Sequence, residues 1–226
     1  MSQNKKPKGL LIVLITEIVL IVIGAVALII VLISRGKSNT ADNPSVQEEK
    51  EIAQAPAEVL TQEALTALSP EEGAKATVQA FLTCYQQCDP RAAEYASGMD
   101  GLSFPAIQAK IARGMTFILG ETRMTTDETG FEYALVPVTI EAPSFASAYE
   151  EAMKQVGADA SEEEILKAVE EQLGKEAEKQ TFNIEIPVFD FIDSRQVQMT
   201  SDLSDAITGG LISYMAQQME GGEGHE

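Results

Sequence analysis

Two cysteines, Cys84 and Cys88, stand four residues apart in a chain that has one histidine, His225. On a helix the i, i+4 spacing puts both sulfurs on one face, and three outcomes are open to such a pair. It can close a local disulfide, although helical spacing only just approaches a Cα separation of about 5.5 Å and the side chains must bend. It can remain two buried thiols that pack as small hydrophobes, or work as a redox pair. Zinc is not expected, because no further Cys and no nearby His completes four ligands. The solitary His, in the tail 220–226, also removes Ser/His and Cys/His dyads from the body of the chain. The many carboxylates nowhere take the alternating spacing around a Gly that a calcium loop needs. No metal or other cofactor is expected.

One further residue is placed where chemistry is costly. Glu17 interrupts an apolar run from Leu10 to Ile33. At about 1.5 Å per residue that run spans roughly 36 Å, enough for a hydrocarbon core of about 30 Å. The run is too long for a cleaved signal peptide, and it lacks both a small-residue cleavage site and a following Cys for lipid attachment. It reads as an uncleaved transmembrane helix. Glu17 then either meets a partner or a proton path in the membrane, or sits a third of the way in, protonated or reaching for the headgroups.

Charge sets the orientation. Lys5, Lys6 and Lys8 precede the run and Arg35 and Lys37 follow it, a small excess that favours a cytoplasmic N-terminus. Setting aside those five residues and Glu17 leaves 11 basic and 34 acidic residues, a net of −23 on the part beyond Lys37. Such a body lacks the basic footprint that nucleic acid requires. The expected organisation is a basic cytoplasmic segment (1–9), the membrane helix (10–33), a flexible polar linker (34–56), an extracytoplasmic domain (57–219) and a disordered tail (220–226).

Within the domain, Ser69-Pro-Glu-Glu72 is a capping box with Pro at the first helical position. Ala74, Val78, Phe81, Leu82 and Tyr85 follow as one apolar stripe. Short helical segments are expected over 90–96 and 105–113. Strands are expected over 115–125 and 131–141, joined at Asp127-Glu-Thr-Gly130. A helix from Ser144 to Gly157 and a half-solvated one after the capping box Ser161–Glu164 come next. A strand over 181–191, a shorter one over 196–200 and a closing helix capped by Ser201 complete the chain. Pro137 and Pro187 each fall inside a strand pattern, where the missing N–H marks an edge or a bulge. The composite is α+β, a helix against a curved antiparallel sheet.

Taken in order, the helix from Pro70 to Cys88, the segment 88–95, the strand Val136-Pro-Val-Thr-Ile140 with a helical insertion after it, and the ending Ala206-Ile-Thr-Gly-Gly-Leu211 resemble the small extracytoplasmic NTF2-like (cystatin-like) domains of Gram-positive, membrane-anchored proteins. The resemblance implies a cone with a pocket between helix and sheet. Phe81, Tyr85, Tyr133 and Phe182 are its candidate lining. Enzymes of this type would use a carboxylate as base and a neutral phenol as oxyanion donor, which Tyr85 or Tyr133 with Asp190 could supply here. Five Tyr offer such pairs by chance, so no catalytic residue is expected.

Three function classes follow. The first is a non-catalytic, membrane-tethered domain that binds a ligand or an envelope protein. The second is a scaffold subunit of a secretion- or conjugation-type membrane assembly, and the third is an NTF2-like enzyme.

Overall fold

The structure, a computed structural model, describes residues 59–220 except Asp100, Ala158 and Glu176. The expected membrane helix at 10–33 with its Glu17, the linker 34–56 and the tail beyond Glu220 lie outside the described residues. Among the described residues no helix is long and apolar enough to cross a membrane. Pro56–Tyr214 forms one compact unit.

The architecture is α+β, with helices and a mixed six-stranded sheet. A short helix α1 (Gln62–Thr66) leads into the long α2 (Pro70–Gln86). A 3-10 turn (Pro90–Glu94), the two-residue strand β1 (Ala96–Ser97) and α3 (Ala106–Gly114) follow. Next come β2 (Thr116–Leu119), β3 (Arg123–Thr126) and β4 (Glu132–Pro143). Helices α4 (Phe145–Val156) and α5 (Glu162–Leu173) are inserted before β5 (Lys179–Asp190) and β6 (Arg195–Gln198). The chain ends on α6 (Ser201–Ile207) and α7 (Leu211–Glu220). The strand order is β1-β6-β5-β4-β2, with β3 beside β2 on the same edge of β4. Among the described residues only β1 with β6 is parallel.

Helix α2 is the centre of the core. Its Ser69 cap accepts from Glu72 N, and its stripe from Ala74 to Tyr85 is buried as the spacing requires. Each large side chain taken fully from water there contributes about 1.5–3 kcal/mol. The sheet turns one face to this core. Ala134, Val136, Val138 and Ile140 of β4 are buried, as are Ile186 and Val188 of β5. Their neighbours Tyr133, Leu135, Pro137 and Thr139 point the other way and are half-buried, because successive strand side chains alternate faces.

Several elements differ from the sequence expectation, each for a local reason. The strand expected over 115–125 is two strands, interrupted at Gly120–Thr122, and both pair with β4. Pro137 is not on an edge. It lies in the central strand β4, at the gap between the β2 ladder (138–141) and the β3 ladder (132–135), where its carbonyl accepts from Gly120 N at 2.7 Å. Its missing N–H therefore falls where the neighbouring strand is broken. Pro187 likewise stands one residue outside the β5–β6 ladder of 188–190. The closing helix starts from a Thr200 cap rather than Ser201. It breaks at Gly209 and Gly210, whose φ values of 66° and 82° end one helix and start another.

Candidate functional site

Phe81 and Tyr85 are fully buried in the core. The Tyr85 ring sits 6.0 Å from Phe81 and edge-on to Phe104 at 5.1 Å. Gln108 Nε2 donates to the Tyr85 hydroxyl, which donates to the Ile207 carbonyl at 3.4 Å. Burial pushes this phenol up to about 12, so it is neutral at pH 7. Phe182 pairs with Ile140 across the β4–β5 ladder and shares its core-facing side. Tyr133 does not join them. It belongs to the opposite face, stacked on Phe189 with centroids 5.1 Å apart. The four candidate lining residues are thus divided by the sheet.

The phenol–carboxylate pairs are divided as well. Asp190 is gripped through both carboxylate oxygens by the guanidinium of Arg195. That guanidinium also donates to the carbonyl of Leu65 in α1, at 2.9 Å, and to that of Ser69, the cap of α2, at 3.3 Å. Tyr85 is sixteen residues further along the helix than Ser69, roughly 24 Å along its axis. Tyr133 and Asp190 fall on opposite sides of the sheet by strand parity. Neither Tyr meets Asp190.

Cys84 and Cys88 are thiols in this structure. Cys84 is buried, and burial raises it to about 11, with the negative charge of Asp89 adding to the effect. Cys88 takes a left-handed backbone, φ 56°, just beyond α2, and its Sγ donates to the Ala109 carbonyl at 3.7 Å. Among the described residues no group of three or more His, Cys, Asp or Glu is placed to hold a metal ion.

Arg195 is the residue that sequence reasoning missed. It is 3% exposed, and its backbone is bracketed by Gln62, whose side chain accepts from Arg195 N at 2.9 Å and donates to Arg195 O at 3.2 Å. The signal was a lone Arg five residues after Asp190, across a turn, in the alternating pattern of β6. A buried charge in such a place needs a fixed set of acceptors.

The second missed feature is the outer face of the sheet. Phe131, Phe189 and Tyr133 form a continuous stack there, with centroids 5.8 and 5.1 Å apart. The turns at this end of the sheet add Phe191, 53% exposed, and Ile192, 99% exposed. Further along the same face a cleft of about 300 Å³ is lined by Ile118, Gly120, Pro137, Thr139, Asn183 and Glu185. Ile118 is 74% exposed at its rim. A second cleft of about 200 Å³, lined in part by Ser147, Glu150, Gln172 and Glu178, lies where α4 and α5 approach the segment before β5. None of the four candidate lining residues borders either cleft. No known protein family, curated protein or solved structure matches the chain.

Proposed function

We propose that the chain is a membrane-tethered, extracytoplasmic module of NTF2-like form that acts by binding an envelope protein, without catalysis. The observation that carries this reading is the aromatic end of the outer face of the sheet, where the Phe131–Phe189–Tyr133 stack adjoins the exposed Phe191 and Ile192. Contiguous exposed apolar surface on a soluble body marks an interaction site. The interior favours the same class. Phe81 and Tyr85 fill the helix–sheet junction, and the groups that could have formed an acid–base pair are committed elsewhere. Binding at a face rather than in a pocket suits a protein partner better than a small ligand.

The test is site-specific photo-crosslinking in intact cells, with a benzophenone amino acid in place of Phe191 and, as a control, of Lys167 on the exposed side of α5. The reading predicts a discrete protein adduct from position 191 and none from 167. Equal yields at both positions, or no adduct at 191, would contradict it.

A further inference from the structure

We infer that the outer face of the sheet receives a cationic polypeptide segment, with apolar side chains laid on the aromatic stack and Lys or Arg side chains meeting the carboxylates around it. The inference rests on the reading of that face as an interface and specifies the chemistry of what occupies it.

Charge complementarity carries the argument. The segments that build this end of the sheet, residues 121–135 and 185–198, hold seven carboxylates and two arginines. Both arginines are already engaged. Arg123 forks onto Glu185 with contacts of 2.9 and 2.8 Å, and Arg195 is buried against Asp190. Five carboxylates are left without a basic counterpart from these segments, among them Asp127, Glu128 and Asp193 in the two turns that flank Phe131 and Ile192. The turns share one end of the sheet, because β4 begins where β5 ends in an antiparallel pair. Stacked aromatic rings present π faces that attract cations as well as apolar groups. A rim of one sign around an apolar centre steers partners of the opposite sign and rejects those of the same sign.

The same arithmetic argues against two other occupants. A second copy would bring two such rims together on bodies of net −23 each, and like charges in apposition oppose docking. An anionic lipid surface would be repelled likewise. The site also has a length. From Tyr133 to Thr139, where the cleft lies, the face runs six residues, roughly 20 Å at about 3.3 Å per residue, with the Arg123–Glu185 ion pair midway beside Leu135 and Pro137. That accommodates an extended segment of about six residues.

The experiment uses the full chain in nanodiscs of zwitterionic phosphatidylcholine, with empty nanodiscs as reference, and three ten-residue probes: alternating Lys–Tyr, Lys–Ser and Glu–Tyr peptides. The Lys–Tyr peptide is expected to bind at least tenfold more tightly than either of the others. Its affinity should fall at least fivefold in 0.5 M NaCl, where screening acts within a few ångströms. It should fall at least fivefold again with Ile192→Ser, a side chain 99% exposed and outside the core, and with Phe191→Ser, and several-fold with Asp193→Asn. Lys–Ser binding as tightly as Lys–Tyr would reduce the effect to bulk charge and overturn the inference. So would Glu–Tyr binding equally, indifference to Ile192→Ser and Phe191→Ser, or micromolar self-association of the chain lost in those variants. A crosslink at position 191 in cells with failure of the peptide comparison would keep the interface and remove its cationic specificity. Absence of the crosslink would remove the interface itself.

Discussion

A Cβ on Gly73 would stand 1.1 Å from Nη1 of Arg195, so the guanidinium occupies the space that a side chain at position 73 would take. The pair joins the start of α2 to β6, and through Asp190 to the end of β5. The absence of a side chain at one place in the sequence thus permits a buried charge from a place 122 positions away.

Gly73→Ala must expel that guanidinium from the Leu65 carbonyl and from Asp190. Overpacking costs about 1–3 kcal/mol and breaking a buried ion pair about 3–5 kcal/mol. Asp190 is half exposed and regains water when released, so a total of about 3 kcal/mol is expected for Gly73→Ala and a similar loss for Arg195→Ala. Urea unfolding of the full chain in detergent, followed by circular dichroism, measures it. A change within about 0.5 kcal/mol for either variant would show that the clamp is not structural.

Much of the fold was legible because periodicity and capping are local. The stripe Ala74–Tyr85, the Ser161–Glu164 box and the hairpin at Asp127–Gly130 each declare themselves within a dozen residues. What was not legible depends on which strand neighbours which. Pro137 reads as an edge marker until the gap between β2 and β3 is seen beside it. Tyr133 and Phe182 both read as inward until the β4–β5 register sets them on opposite faces. Arg195 gives no sign of its burial, because its acceptors lie on Leu65, Ser69 and Asp190.

Stability should fall at alkaline pH. Burial raises Tyr85 from its ordinary value near 10 to about 12, and Cys84 from 9 to about 11. Below pH 9 these groups are protonated in both folded and unfolded chains, and the folded state keeps its full stability. Above pH 9 for Cys84 and pH 10 for Tyr85, the unfolded chain ionises while the folded chain holds its protons. Stability is then lost until the folded values are passed. The urea midpoint should decline from pH 9 towards pH 12, less steeply in Tyr85→Phe above pH 10. A midpoint constant to pH 11, or an unchanged slope in the variant, would contradict the burial of these groups.

The thiols should differ in access. At pH 8 a thiol near 11 is ionised about one part in a thousand, and Cys84 is also buried. In a Cys88→Ser variant, Ellman's reagent should react with Cys84 only as fast as the protein unfolds. Denatured wild type without reductant should release two thiols. Rapid native reaction of Cys84, or no thiol after denaturation, would replace buried thiols with a reactive pair or a disulfide.

Gly209 takes φ 66°, and a Cβ there would lie 2.2 Å from the Pro143 carbonyl. Gly209→Ala should therefore cost about 1–3 kcal/mol through strain and displacement. The loss should appear as faster hydrogen exchange of Phe145 N, which donates to the Gly209 carbonyl at 2.9 Å. Unchanged exchange and stability would show that the break between α6 and α7 tolerates a side chain.

The most direct measurement is maleimide labelling of Ile192→Cys, in a Cys88→Ser background, with a reagent that does not cross membranes. Lys167→Cys serves as the reference position. In purified full-length protein both should label rapidly. In intact cells Lys167→Cys should still label rapidly while Ile192→Cys is slowed at least tenfold by the protein seated on the sheet. Equal rapid labelling of both in cells would mean a bare face, and labelling of neither until the cells are permeabilised would put the domain on the wrong side of the membrane.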